Sequence, residues 1–479
     1  MVSFFALHLL FSGSVALQHV PDSSLSVMSK LERYLYPTNH ELREAAGITE
    51  LKTGKKRNHN KPAQKTEDAA FDIPKNIDIA LEAVAIRPMD LFSVPYYAEY
   101  VWLINLFVVT VVIYIASEVY AIIFPQLAAR DINLSLVWCL LIAGIALKSL
   151  ASIAALYFKS QEDTGERSLC LCCGAICFLL TMILFAVDEN TLDLHLLQSY
   201  NSFISSSSEY LKSQNMEVRL VCLNLIADRN PILMFLVLSI FFGVFAGLLA
   251  FPSLRVARVL LDTADSCGTL YRILLYTTFF MPFLTALLWV NPVAKDHLTV
   301  GDNAVLSVYQ LESLRLWLVL AVTALRFITL RPALQTHLNS AHDKILQLKR
   351  EAGKISSADY QRMIARVFWY LCIVAIQLTA PLIFVCCTTM LLKTLGNYSW
   401  LSIANIHLGT VSGSVGSSGP VKSNVPFAED FSLYLAKLTK IFSPTVHRGV
   451  WGLMTFWTLM LHFVLSSIGV MYYTTIGSR

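Results

Sequence analysis

The sequence predicts an all-α protein: a polytopic helical membrane bundle of about eight to nine transmembrane helices, with a cytoplasmic amphipathic helix between two of them. Three observations predict it. The 479 residues are 55% hydrophobic and only 15% charged, with a mean hydropathy of +0.57, well beyond the composition of a water-soluble globule. Apolar stretches of bilayer-crossing length recur along the chain, separated by polar connections. After Arg331-Pro332 the apolar residues change rhythm, and Leu334, Leu338, Ala341, Ile345, Leu348 and Ala352 fall at alternating spacings of four and three, the one-face pattern of an amphipathic helix.

Residues 1–20 form a first span or a signal-like segment. Val2–Val20 is apolar without a basic start, and Ser14-Val15-Ala16 resembles a cleavage site. Residues 21–98 are polar and basic. Within them Thr38 and Glu41 have the spacing of a capping box that starts a helix through Ala46. Lys52–Lys65 lacks periodicity and reads as a linker, and Phe71–Ile86 contains in-step isoleucines that suit a short strand. The main bundle occupies residues 99–392, with spans at Val101–Phe124, Leu134–Phe158, Leu169–Val187, Ile232–Phe251, Ile273–Val290, Leu311–Leu330 and Val367–Leu392. Its 332–365 connection carries the amphipathic helix. Asp188–Asn230 reads as a polar loop, residues 393–448 as a polar connection with a Gly/Ser linker, and residues 449–479 as the last span, Val450–Tyr473, and a short tail.

Lys and Arg concentrate in the connections 21–98, 159–167, 252–272 and 331–366. By the positive-inside rule these and the C-terminus are expected in the cytoplasm. That orientation suits an uncleaved first span and puts the Asn397-Tyr398-Ser399 sequon outside, with Asn397 a candidate glycosylation site. The basic amphipathic helix, with Lys344, Lys349 and Arg350 off its apolar face, suits either an anionic lipid surface or the protein's own loops.

Four charges fall inside spans, where a charge is costly and points to function. Glu118 and Arg315 lie near ends of oppositely directed spans at a shared depth, which makes them the candidate intramembrane charge pair. Lys148 and Arg326 lie toward the opposite side as further buried charges. Independent snorkelling to the interface is the plainer alternative for such residues. Asn105, Gln377 and His462 add polarity, and Pro282 and Pro381 mark expected kinks.

Ten cysteines show no disulfide framework and read as buried free thiols. Cys170, Cys172 and Cys173 open a span beside Arg167, so they are palmitoylation candidates rather than metal ligands, for which no second ligand pair is present. No metal or other cofactor is expected. No catalytic signature appears, and the net charge of +4 without a long basic run gives no reason to expect a nucleic-acid partner.

Several segments together resemble the transmembrane protein 161 family: Ser135-Leu136-Val137-Trp138-Cys139-Leu140-Leu141, Gly165-Glu166-Arg167-Ser168, Phe251-Pro252-Ser253-Leu254-Arg255, Leu314-Arg315-Leu316-Trp317, Glu351-Ala352-Gly353-Lys354-Ile355 and Leu391-Leu392-Lys393-Thr394-Leu395-Gly396-Asn397. The resemblance runs from about Tyr36 to the C-terminus. It implies a multi-pass protein without an assigned enzymatic activity, linked to control of ion currents, calcium or potassium, to membrane excitability and to stress tolerance. Where the family is expected to carry an acidic residue, this chain has Asn105. The expectation is therefore a non-enzymatic regulator acting through lipids or other membrane proteins such as ion channels, in the plasma membrane or an endomembrane. The alternative is a transporter or channel using Glu118, Lys148, Arg315 and Arg326.

Overall fold

The apolar stretches form long helices because a backbone in hydrocarbon must satisfy its own hydrogen bonds. The computed structural model describes residues 28, 31–46, 71–74, 81–128, 133–159, 164–187, 190–213, 231–299, 306–350, 355–404 and 441–477. Among them are eight segments long and apolar enough to cross a membrane. The first expected span, Val2–Val20, and the Lys52–Lys65 linker lie outside the described residues.

In chain order the elements are β1 (Glu32–Tyr34), α1 (Asn39–Ala45), β2 (Asp72–Ile73), β3 (Ala83–Ala85), α2 (Tyr97–Ile123), α3 (Leu134–Lys159), α4 (Thr164–Ala186) and α5 (Leu196–Ser213). They continue with α6 (Ile232–Ser266), α7 (Thr269–Leu287), α8 (Asn291–Leu298), α9 (Val308–Arg350), β4 (Ile355–Ser356), α10 (Ser357–Trp369), α11 (Leu371–Leu395) and α12 (Pro444–Gly477). Three expectations are corrected. Asp188–Asn230 contains helix α5, whose apolar face is interrupted by the serines that made it read as loop. Pro332 does not end its helix: α9 runs through it, since a proline inside a helix removes one bond and can bend without breaking it. The expected Val367–Leu392 span is divided between α10 and α11 at Tyr370.

The chain groups into two units. One contains Leu103–Ile328 and Gln377–Arg479; the other contains Asp22–Trp102 and Thr329–Ile376. In the first, α6 packs against α4 and α12, and α12 also meets α5 and α7. Helices in lipid gain little from hydrophobic transfer on association and rely on close backbone approach. Gly243 and Gly247 provide that approach on α6: a Cβ at Gly174 of α4 would stand 3.3 Å from the Gly243 carbonyl oxygen. On the other side, a Cβ at Gly469 of α12 would come within 2.7 Å of Ala257 Cβ. Helix α11 is apolar on most of its circumference, and every residue from Leu371 to Leu392 is buried, as expected of such a helix.

In the second unit, Thr38 caps α1 as its spacing predicts. Its Oγ1 accepts from Glu41 N at 3.3 Å, while Glu41 Oε2 accepts from Thr38 N at 3.0 Å. Strand β1 pairs antiparallel with β3, and β2 with β4. The stripe expected from the periodicity is real, with Leu334, Leu338, Ala341 and Ile345 all buried. Its cover is the chain itself: Ile345 packs with Leu42, Ile73, Tyr360 and Ile364. The segment 332–365, expected with the main bundle, therefore groups with the N-terminal region. The lipid-surface reading of its apolar face is replaced by a protein core.

Candidate functional site

A polar group buried in an apolar bundle is costly without a partner, and one set of partnered polar residues gathers at one end of the first unit. The connection between α4 and α5 is pinned there by the backbone. Asp193 N donates to the Trp289 carbonyl at 2.8 Å, Asn291 N donates to the Thr191 carbonyl at 2.9 Å, and Leu192 bridges Val290. His195 follows with φ of 51°, a left-handed turn that directs the chain into α5.

This turn holds Asp193 among cations. Arg315 Nη1 donates to its Oδ2 at 2.7 Å and Lys295 Nζ to its Oδ1 at 2.7 Å, with His195 Nδ1 at 3.3 Å from Oδ1. The Arg315 guanidinium also lies over the Trp289 ring, 5.5 Å from its centroid. Burial by itself would raise the Asp193 carboxyl, but Arg315 and Lys295 outweigh it and hold the group below its ordinary range. The nearby Tyr398 phenol is pushed up to about 12, chiefly by burial and then by Glu312.

Asp193, Glu312, Arg315, Tyr398 and Arg448 line a small cavity. Its volume of about 20 Å³ is room for one or two waters rather than an organic substrate. Arg448 closes one side, donating from Nε to the Gly396 carbonyl at 2.6 Å and covering the Tyr398 ring at 4.6 Å.

Glu118 is bound elsewhere, by Lys393 of α11. The expected Glu118–Arg315 pair is thus replaced by two separate ion pairs. The inference that both charges lie at one end agrees with the hydrogen bonding, because the turn at Trp400 connects them. Ser313 Oγ and Trp317 Nε1 each donate to the Trp400 carbonyl at 3.1 Å, and Trp400 Nε1 donates to Tyr114 Oη at 3.3 Å, one helical turn before Glu118. Span periodicity could not reveal the partners. Asp193 sits in a connection, and Lys393 looks like an ordinary charged residue at a span end.

Arg326 donates from Nε and Nη2 to the Thr278 carbonyl at 3.4 Å. That carbonyl is the one Pro282, four residues on in α7, leaves without its helical donor. Lys148 is a correction: it is exposed on α3, and among the described residues it forms no ion pair. Gly144 and Ala151, one turn to either side, are exposed with it, so its face of α3 points away from the described helices. His462 is buried, and among the described residues neither ring nitrogen has a hydrogen-bond partner. Gln377 is likewise buried, and its amide has no partner among the described residues.

Of the palmitoylation candidates, Cys170 and Cys173 are buried and Cys172 is exposed, on the outer face of its spanning helix. Among the described residues no group of three His, Cys, Asp or Glu is arranged to hold a metal. Asn397 is half-buried with φ of 59°, directly after α11.

Eight apolar segments, glycine-mediated helix contacts and ion pairs sealed at one end define a class: an integral multi-pass membrane protein of the all-helical kind. A family model described as "Predicted transmembrane protein 161AB" matches residues 20–477, and the chain belongs to that family. No solved structure matches the chain.

Proposed function

We propose that this protein is a non-enzymatic membrane component that regulates ion currents by binding other membrane proteins or lipids, in the plasma membrane or an endomembrane. One observation carries this reading: the four charges that a conduction path would share are dispersed. Glu118 is held by Lys393 and Arg315 by Asp193, Arg326 serves a helix carbonyl, and Lys148 faces out of the bundle. A transport pathway concentrates intramembrane charge along one wet lumen, and the cavity beside Arg315 has space for one or two waters. The family resemblance supplies the readout, ion currents and excitability.

The test is a pair of measurements on the intact chain. Purified protein in liposomes is expected to carry no calcium or potassium flux, while its presence in a cell membrane changes currents carried by other proteins. Flux in liposomes that Arg315→Gln abolishes would instead establish the transporter reading. Asn397 remains the candidate glycan acceptor, tested by the endoglycosidase sensitivity of the chain and of Asn397→Gln. A band shift in the former but not the latter assigns it.

A further inference from the structure

Lys148 is fifteenth of the 26 residues of α3, within about 3 Å of the helix midpoint at 1.5 Å per residue. Toward Lys159 it has about 16 Å of helix and toward Leu134 about 21 Å. A charge at that depth is normally turned into a bundle, paired, or hydrated in a cavity. Here it is exposed, and along the same stripe Leu141, Gly144, Ala151 and Ala155 are exposed as well, at spacings of three and four. A Cβ built at Gly144 would meet nothing within 4 Å. The surface around the ammonium is therefore low and apolar, the form of a face that lets a second helix come close.

Among the described residues the chain supplies no counter-charge to Lys148. Val2–Val20 contains no acidic residue, so the first apolar segment cannot neutralise Lys148. A second copy offers no match among the described residues. Glu118 is taken by Lys393, and Glu99, Glu166, Asp262, Glu312, Asp343 and Asp359 each fall within five residues of an end of their spanning segments, not at mid-depth.

We infer that the Gly144–Lys148–Ala151–Ala155 face of α3 is the docking surface for a membrane helix of a different protein, one that carries an aspartate or glutamate at mid-bilayer. The ammonium provides selection by charge, since an unpaired carboxylate in hydrocarbon is as costly as an unpaired lysine. The small residues provide the close contact. This rests on the regulator reading above and specifies the chemistry of its partner.

The probe is a synthetic Leu/Ala transmembrane helix with one central Asp, compared with the same helix bearing Asn, each added to the purified full-length protein in phosphatidylcholine vesicles. Energy transfer between labels reads association. The Asp helix is expected to bind about tenfold more tightly than the Asn helix, the scale of a polar contact between membrane helices. That preference disappears in Lys148→Met and returns when Lys148→Glu meets a helix with a central Lys. Gly144→Leu, which fills only open space in this chain, weakens the Asp helix by a similar factor. Equal binding of the Asp and Asn helices overturns the inference, and so does a preference that survives Lys148→Met. Self-association of the protein that depends on Lys148 also overturns it, in favour of a second copy. No current is measured here, so such a failure removes this face and leaves the regulator reading to the flux experiment.

Discussion

Arg315 of α9 donates to Asp193 at 2.7 Å across more than 120 residues of sequence, tying the α4–α5 connection to the start of a spanning helix. Asp193 holds a second cation, Lys295, at the same distance. The two cations are not equivalent: the Arg315 side chain is 7% exposed and that of Lys295 28%.

Asp193→Asn therefore leaves a buried guanidinium without its counter-ion and is expected to cost about 3 kcal/mol of stability in detergent. Arg315→Gln leaves Lys295 on the carboxylate and should cost less, about 2 kcal/mol. The double variant should lose less than the two singles combined. Thermal melts of the three proteins check this, and strictly additive losses would remove the pair.

The same carboxyl predicts a pH dependence. Its folded value lies below the ordinary one, so the unfolded chain binds the proton first as pH falls. The stabilisation is fully present above about pH 4 and is lost as the pH drops through the folded value. Asp193→Asn should flatten the acid limb of the melting curve, and an unchanged limb would show that other carboxylates dominate it.

Glu118 and Arg315 should behave independently. A double-mutant cycle between Glu118→Gln and Lys393→Met is expected to show coupling of about 1 kcal/mol or more, whereas Glu118→Gln with Arg315→Gln should add within about 0.5 kcal/mol. Coupling in the second cycle rather than the first would restore the pairing suggested by span depth.

Leu42 is fully buried against Ile345, Tyr360 and Ile364. Leu42→Ala should cost about 2–5 kcal/mol and raise proteolysis of the N-terminal region, while Thr38→Ala, which removes the cap, should cost about 1 kcal/mol. Limited proteolysis beside thermal melts reads both. If neither change loosens the region, the amphipathic segment is covered by something else.

Brief maleimide treatment of the native protein is expected to label Cys172 and spare Cys170 and Cys173, which react only after denaturation. Any thioester in this trio should vanish in Cys172→Ser alone. Labelling of all three at one rate would contradict the burial pattern.

Much of the architecture is local and was therefore legible. Span length, the Thr38/Glu41 capping box and the 4-3 rhythm through Ile345 each depend on neighbours a few residues apart, and the structure reproduces them. The α4–α6 contact carries a local signal too, Gly243 and Gly247 four residues apart, although spacing cannot say that Gly174 lies opposite.

What only the tertiary structure decided were the partners. Sequence alone determined that Glu118, Lys148, Arg315 and Arg326 stand inside apolar stretches, and depth placed Glu118 and Arg315 at one end. It could not tell that Asp193 and Lys393 reach them, that Arg326 answers the carbonyl freed by Pro282, or that Lys148 is exposed among the described helices. The physical reason is that hydropathy records the cost of placing a residue in lipid and periodicity records its face. Which face meets which is settled by packing between helices distant in the chain, where a single rotation about a helix axis exchanges a buried charge for an exposed one.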